Sequence, residues 1–419
     1  MLTSVPLAPR SIEEFRGIVR DEVLDQLIAD SRPLSGARVL HVNATAYGGG
    51  VAEILSWLVP LKRNLGFEVD WKVVTGSDAF FSVTKAMHNA LQGKRHPWTA
   101  EEVATWVEQN RLNTLAWEPY DFIVIHDPQP APILGLLKEA GSVAGHWLWR
   151  CHIDLTDAQP EAWDILCPWV EHYDATIWTM PQYVRQGAPT GNLFIVPPAI
   201  DPNSPKNAPL PGEEVDRVFA RFGVDRTRPV MLQVSRFDPW KDPLGVIDAY
   251  RVARQTHPQL QLVLVGSMAD DDPEGWEWLG LVKNHAGDDP GIKILSNLDG
   301  VGNLEVNAFQ RGATVVVQKS VREGFGLVVT EALWKGKPVV GGNTGGITLQ
   351  VLDGETGYLV KTVRECGERV AELLDDGGLR ARMGQAGREH VREHFLLTRY
   401  LGDYVRMMRR LAGLPQGAK

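Results

Sequence analysis

The sequence predicts an α/β protein with two Rossmann-like, doubly wound domains, because short apolar runs alternate with helix-like segments in two separate series. A proline-rich stretch from Pro197 to Pro211 separates the two series and is predicted to be a linker. The length of 419 residues also indicates two hydrophobic cores rather than one. We therefore predict an N-terminal domain over residues 1–200 and a C-terminal domain over residues 215–391.

The first series begins with a buried strand at 37–43 and an amphipathic helix at 51–64. Strand-like runs follow at 68–74, 122–126, 143–150, 175–178 and 193–196. The second series has such runs at 229–235, 262–266, 292–295, 314–317 and 338–340, and helical patterns at 303–310, 327–334 and 392–411. Ligands of open α/β sheets bind beyond the carboxyl ends of the strands, so we expect the functional residues there.

Composition excludes several classes of function. A net charge of −9 argues against nucleic acid as a main partner. The three cysteines are too few and too scattered for a disulfide framework or a structural zinc site. We see neither a signal peptide nor an apolar run of about 18 residues, so we expect no membrane partner and a reducing, cytoplasmic location.

The most informative segment lies between the strands at 314–317 and 338–340. Glu323 stands in a glycine turn before a helix that contains Glu331, and backbone amides at the start of that helix favour an anion. A phosphate-bearing ligand with hydroxyl groups would fit two carboxylates beside that anion site. A glycosidase carboxylate pair is an alternative, as are a loop glutamate and a solvated helix glutamate.

Two further loops follow strands and suit an anion. Gly48, Gly49 and Gly50 open the helix at 51–64 and could form a phosphate nest, or a tight turn without a ligand. Arg236 and Lys241 leave the strand at 229–235, and one loop can project both toward a single anion. Their expected role is to neutralise a leaving diphosphate, and the alternative is two surface cations.

Histidine and aspartate also cluster at strand ends. His126 and Asp127 end one strand, and His152 and Asp154 follow another. Hydroxyl binding, structural roles and metal binding all stay open for them. The loop at Leu298 offers backbone contacts to a base, whereas Asp270, Asp271 and Asp272 are interpreted as a solvated turn rather than a metal motif.

At this point the residues resemble a known family. Arg236 with Lys241, and Glu323-Gly-Phe-Gly followed by Glu331, are similar to the retaining nucleotide-sugar glycosyltransferases of GT-B architecture, family 4 type. The segments that begin at His41, Ile125, Trp149 and Val321 resemble the trehalose glycosyltransferring synthases and the related trehalose phosphorylases. The resemblance implies two Rossmann-like domains facing across a cleft, with a last helix within 392–419 that crosses back to the N-terminal domain.

The resemblance also implies roles for individual residues. The catalytic set is Arg236 and Lys241 on the donor phosphates, Glu323 on the donor sugar hydroxyls, and His152 near the 6-hydroxyl of that sugar. The donor and nucleotide contacts are Gly49, Gly50, Leu298, Gly326, Leu327, Val328 and Glu331, of which Glu331 binds the ribose hydroxyls. The acceptor contacts are Asn43, Tyr47, His126, Asp127 and Asp154, and their neutral or acidic character favours free glucose over a phosphorylated sugar.

The implied reaction joins UDP-glucose or ADP-glucose to glucose, reversibly and with retention, to give α,α-trehalose. We expect a homodimer, no required cofactor and no metal held by the protein, while stimulation by free Mg²⁺ stays open. Three alternatives also stay open. They are a trehalose phosphorylase that uses inorganic phosphate, a glucosyltransferase of the sucrose or glycogen synthase type, and a sugar sensor without catalysis.

Overall fold

A computed structural model of the chain describes residues 1–47, 49–141, 143–189, 191–268 and 273–415. The chain divides into two compact units. Unit 1 comprises Met1–Ala199 together with Leu397–Lys419, and unit 2 comprises Ile200–Leu396. Gly48 of the predicted glycine nest and the aspartates 270–272 lie outside the described residues.

Unit 1 is built on a sheet in which the described strands are parallel except at one edge. The strands are β1 (Thr3–Ser4), β2 (Arg38–Asn43), β3 (Glu68–Val73), β4 (Phe122–His126), β5 (His146–Arg150), β6 (Ala175–Trp178) and β7 (Leu193–Ile195). Their order is β1-β3-β2-β4-β5-β6-β7, and β1 pairs antiparallel with β3. Val39, Leu40 and Val42 of β2 are all buried, as expected for a parallel strand covered on both faces.

Helices alternate with these strands along the chain. Those of unit 1 are α1 (Asp21–Ser31), α2 (Gly50–Asn64), α3 (Asp78–Leu91), α4 (Ala100–Asn113), α5 (Ile133–Glu139) and α6 (Pro160–Val170). Local sequence fixes several helix starts, since Ser77 caps α3 and a Thr99–Glu102 capping box starts α4. The last helix of the chain, Leu397–Leu411, also belongs to unit 1.

Unit 2 repeats the arrangement with a parallel sheet. The strands are β8 (Val230–Val234), β9 (Gln261–Gly266), β10 (Ile292–Ser296), β11 (Val315–Gln318), β12 (Val339–Gly342) and β13 (Gly357–Val360), in the order β10-β9-β8-β11-β12-β13. The helices are α7 (Gly212–Arg221), α8 (Pro243–Arg254), α9 (Pro273–Ala286), α10 (Asn303–Gly312), α11 (Leu327–Trp334), α12 (Ile347–Gln350), α13 (Val363–Asp375) and α14 (Gly377–His394). The last helix, Leu397–Leu411, is therefore α15. One core of unit 2 packs Tyr250 of α8, Leu264 of β9 and Val370 of α13 together.

Two predicted segments differ from the structure. From Ile200 onward, the predicted linker is part of unit 2. Asn307 holds it there by donating to the carbonyls of Pro205 and Ala208 at 3.0 and 2.8 Å. The predicted single helix at 392–411 is two helices, because Phe395 leaves the helical conformation and ends α14. Ile200 pairs with Leu396 there, and the Ile200 N–H donates to the Phe395 carbonyl at 2.9 Å.

Within the described part of the chain, every helix is too short or too polar to traverse a lipid bilayer.

Candidate active site

The glycine turn in unit 2 places backbone amides at the start of α11. Gly326 has a φ of +83° and is the residue before the helix, a conformation that suits glycine. A side chain there would also meet Glu323, since an added Cβ would lie 3.0 Å from its Cγ. The first amides of a helix have no partner within it, so those of Leu327 and Val328 are placed to bind an anion.

Glu323 and Lys241 form a direct ion pair. Lys241 Nζ donates to Glu323 Oε2 at 2.6 Å, and Ser320 Oγ donates to the same oxygen at 3.2 Å. The side chains of Lys241 and Glu323 are only 17% and 9% exposed. Lys241 ends a short 3₁₀ turn after β8, and Glu323 follows β11, so neighbouring strands bring the pair together. A sugar bound at Glu323 and a phosphate bound at Lys241 would therefore be adjacent groups of one ligand.

Arg236 lies in a different environment from Lys241. Its side chain is 64% exposed, and its Nη2 lies 3.1 Å from Asp238 Oδ2. Burial raises the pKa of the Asp238 carboxyl, and the nearby Arg236 and Lys241 oppose that rise. Arg236 is thus a solvated cation that a ligand can recruit at little desolvation cost, whereas Lys241 is already held by Glu323.

Glu331 is a buried carboxylate in which one oxygen accepts no hydrogen bond from the described part of the chain. It lies in the second turn of α11 and is 1% exposed. Gln310 Nε2 donates to Oε2 at 3.3 Å, but no described residue hydrogen-bonds to Oε1, and Lys206 Nζ lies 3.9 Å from that atom. A buried acceptor without a donor is costly, so Oε1 is suited to a hydroxyl of a ligand.

Leu298 is an exposed side chain on a capped turn. The turn Asn297–Asp299 follows β10, and Leu298 is 57% exposed. Its backbone N–H donates to Ser296 Oγ at 3.3 Å, so that amide already has a partner. The predicted contact of this turn with a base stays a prediction.

The corresponding turn in unit 1 also begins with glycine. Gly49 has a φ of +87° and precedes α2, of which Gly50 is the first residue, and both are exposed. Tyr47 is 82% exposed. Asn43, in contrast, is buried, and its side-chain amide is engaged on both sides. Its Oδ1 accepts from Trp71 at 2.7 Å, and its Nδ2 donates to the Thr45 carbonyl at 2.7 Å.

Three histidines of unit 1 form a row of hydrogen bonds, with His41 inside β2, His126 at the end of β4 and His152 just after β5. His41 Nδ1 lies 2.9 Å from His126 Nε2, and His126 Nδ1 lies 3.0 Å from His152 Nε2. His126 is 1% exposed with both nitrogens engaged, so direct contact with a sugar would require one of these bonds to break. His152 is half-buried. Among the described residues, no group of three or more His, Cys, Asp or Glu is arranged to hold a metal.

The two aspartates beside these histidines have backbone partners. Asp127 adopts a φ of +63°, and its Oδ1 accepts from the His152 N–H at 2.7 Å. Burial raises the pKa of Asp127 to about 7. Asp154 accepts from the Thr156 N–H at 2.9 Å. Their predicted contacts with an acceptor sugar stay predictions.

Sequence reasoning missed one residue of this cluster. Lys62 of α2 is fully buried, and its Nζ lies 2.9 Å from His41 Nε2 and 4.1 Å from the ring centre of Tyr404. The sequence does contain a signal for the burial of Lys62, because this residue continues the apolar stripe that Leu55 and Leu58 start at helical spacing. A lysine on the buried face of a helix marks a polar partner inside the fold.

Comparisons with known proteins identify relatives of this chain. A family model described as "Trehalose synthase, N-terminal domain" matches residues 41–185, and one described as "Glycosyl transferases group 1" matches residues 214–390. The chain is 48% identical over 421 residues to "Trehalose synthase" of Rubrobacter xylanophilus, which covers 99% of this chain and 100% of that protein. It is 44% identical over 402 residues to "Trehalose synthase" of Thermococcus litoralis, which covers 95% and 97%.

Solved structures identify the fold. An α,α-trehalose-phosphate synthase (UDP-forming) from Burkholderia xenovorans, in complex with glucose-6-phosphate, matches with a TM-score of 0.73 at 14% identity. That match covers 89% of this chain and 100% of the other. The predicted α/β fold class is confirmed. The chain therefore belongs to the trehalose synthase family of glycosyltransferases and has the GT-B fold.

Proposed function

We propose that this chain makes α,α-trehalose reversibly from a nucleoside-diphosphate-glucose and free glucose, with retention at the donor carbon. UDP-glucose and ADP-glucose are the proposed donors. The family membership supports a trehalose-related transfer, and the site in unit 2 supports a nucleotide as the leaving group. The observation that carries the proposal is that Oε1 of the buried Glu331 accepts no hydrogen bond from a described residue.

A ribose explains Glu331 better than inorganic phosphate does. The two hydroxyls of a ribose are donors, and a carboxylate is only an acceptor, so they are complementary. A phosphate anion at the same place would face a buried like charge. The free oxygen of Glu331 therefore favours a nucleotide-dependent synthase over a trehalose phosphorylase.

The start of α11 is the proposed phosphate site. The amides of Gly326, Leu327 and Val328 would donate to the diphosphate, and Arg236 and Lys241 would neutralise it. Glu323 would accept from the donor sugar hydroxyls, consistent with its ion pair to Lys241. The turn at Gly49 and Gly50 in unit 1 is proposed to supply further amides to the phosphates.

The transfer needs no enzyme nucleophile. The bond between the anomeric carbon and the diphosphate oxygen breaks, and the acceptor hydroxyl oxygen bonds to that carbon from the same face. The acceptor proton passes to the departing diphosphate oxygen, so charge and atoms balance. Cations aimed at the charge that develops on the leaving group are the largest expected source of catalysis.

The proposed acceptor residues suit a neutral sugar. Asn43, Tyr47, His126, Asp127 and Asp154 supply hydrogen-bonding groups without a cation, whereas a phosphorylated acceptor would call for one. We therefore propose free glucose as the acceptor. The homodimer also stays a proposal, which light scattering on the purified chain checks.

Calorimetric titration tests the role of Glu331. Glu331→Gln should weaken binding of UDP or ADP by about 1–3 kcal/mol, the range for hydrogen bonds to a charged group. Binding of the 2′,3′-dideoxynucleotide should change little, and Glu368→Gln, an exposed position of α13, should leave both affinities unchanged. Equal losses for both nucleotides in Glu331→Gln would refute the ribose assignment.

A further inference from the structure

A buried chain of hydrogen bonds in unit 1 leads to one free histidine nitrogen. Lys62 Nζ contacts His41 Nε2 at 2.9 Å, His41 Nδ1 contacts His126 Nε2 at 2.9 Å, and His126 Nδ1 contacts His152 Nε2 at 3.0 Å. The other five ring nitrogens of His41, His126 and His152 are engaged in these bonds. No described residue bonds to Nδ1 of His152, so that atom is left for a ligand.

The three rings are neutral. Burial, aided by nearby cations, lowers the pKa values of His41, His126 and His152 well below the usual 6.5. A neutral imidazole has one N–H donor and one acceptor nitrogen. Each hydrogen bond between two rings needs one donor nitrogen and one acceptor nitrogen. All these bonds must therefore be donated in the same direction along the row of rings.

The first residue sets that direction. An ammonium group only donates, so charged Lys62 must donate to Nε2 of His41. His41 then carries its proton on Nδ1 and donates to His126, and His126 donates from its own Nδ1 to Nε2 of His152. The proton of His152 is left on Nδ1, where it faces away from the chain.

We propose that Lys62, His41 and His126 are positioning residues that hold His152 in the tautomer protonated on Nδ1 while Lys62 is charged. His152 would then present a fixed N–H donor to an oxygen of the substrate. The identity of that oxygen, a hydroxyl of the donor glucose, rests on the proposed function. The assignment of the His152 tautomer does not rest on the proposed function.

The surroundings of Lys62 allow the tautomer of His152 to change near neutral pH. Burial lowers the pKa of Lys62 to about 7, and an uncharged amine can accept from Nε2 of His41. The reversed order then becomes available, in which Nδ1 of His152 is an acceptor. Tyr404 of α15 faces Lys62 as a neutral phenol because its pKa is raised, and Arg150 of β5 is the nearby fixed cation.

Nitrogen NMR on ligand-free, ¹⁵N-histidine-labelled protein tests the proposal. At pH 6, His152 of the wild type should be protonated on Nδ1, and Lys62→Met should shift it to a mixture of tautomers or to Nε2. Lys72→Met makes the same substitution on β3 outside the chain of hydrogen bonds and should change nothing. An unaltered His152 signal in Lys62→Met would overturn the proposal.

A titration of the wild type avoids any risk that Lys62→Met fails to fold. The Nδ1 resonance of His152 should lose N–H character as the pH rises through about 7, the pKa of Lys62. Asp127 also titrates near 7 and accepts from the His152 backbone, so the shift should persist in Asp127→Asn. A flat profile from pH 6 to 9, or a shift abolished by Asp127→Asn, would overturn the relay, meaning the control of the His152 tautomer by Lys62 through His41 and His126.

Kinetics separates the relay from the proposed function. Lys62→Met should lower kcat about tenfold for the nucleoside-diphosphate-glucose, the equivalent of about one hydrogen bond. It should have little effect on kcat for the 6-deoxyglucose donor, which lacks the partner hydroxyl. A changed tautomer with equal losses for both donors would support the relay and refute the role of His152 in donor recognition.

Discussion

Lys62→Met should reveal how strongly the fold opposes the charge on Lys62. The side chain is fully buried, and its pKa is lowered from 10.5 to about 7, with desolvation as the cause. The lower pKa means that the folded state binds the proton less tightly than the unfolded state does. The charge therefore destabilises the fold fully below pH 7, and this penalty disappears as the pH rises toward 10.5.

The size of this effect follows from the two pKa values. A difference of about 3.5 units at about 1.4 kcal/mol per unit gives a penalty of about 5 kcal/mol at low pH. Between pH 7 and pH 9 the wild type should regain about 2 kcal/mol relative to Lys62→Met, because over this range the unfolded state still holds the proton that the folded state has lost. Methionine has no charge, and His41 and His126, whose pKa values Lys62 helps to lower, stay neutral between pH 7 and pH 9, so the remaining titrating groups cancel in the comparison.

Urea unfolding at pH 6, 7, 8 and 9 measures this difference. Tryptophan fluorescence follows unit 1, where Trp71, Trp147, Trp149 and Trp178 are fully buried. The replaced side chain also alters packing, so the informative quantity is the slope with pH and not the offset. A difference in the free energy of unfolding that stays constant from pH 6 to pH 9 would refute the lowered pKa.

Three further predictions concern unit 2. Arg236→Ala and Lys241→Ala should each lower kcat by about 10²–10³, and near-native kcat in both would remove the diphosphate assignment. Only Lys241→Ala should also lower the free energy of unfolding, by up to about 3–5 kcal/mol, because it removes the buried cation that is paired with Glu323; equal stability of the two variants would contradict this. Gly326→Ala should destabilise unit 2 by about 1–3 kcal/mol through its positive φ and displace Glu323, whereas Gly280→Ala in α9 has open space and should not destabilise the fold, as thermal unfolding checks.

Sequence patterns located the strands well for a physical reason. A strand buried on both faces must be apolar throughout, so Phe122–His126 and Ala175–Trp178 have the predicted bounds. The strand Gly357–Val360 was missed, because four residues beginning with glycine carry little periodic signal. The break between α14 and α15 was also missed, because neither glycine nor proline marks Phe395 and Leu396.

Site residues were predictable where one loop or helix carries them. Gly326, Leu327 and Val328 are consecutive, and their role follows from the start of a helix. The pairing of Lys241 with Glu323, and that of Lys62 with His41, depends on tertiary packing, which a single sequence does not encode in any local pattern. The same holds for His126, whose partners are His41 within β2 and His152 just after β5.

The most direct test of the central claim is product analysis of the complete reaction. The purified chain is incubated with glucose and either UDP-glucose or ADP-glucose, and proton NMR follows the anomeric signals. We predict equal amounts of nucleoside diphosphate and α,α-trehalose, and re-formation of nucleoside-diphosphate-glucose when trehalose and the diphosphate are supplied. Trehalose cleavage that requires inorganic phosphate and ignores nucleotides would contradict the account.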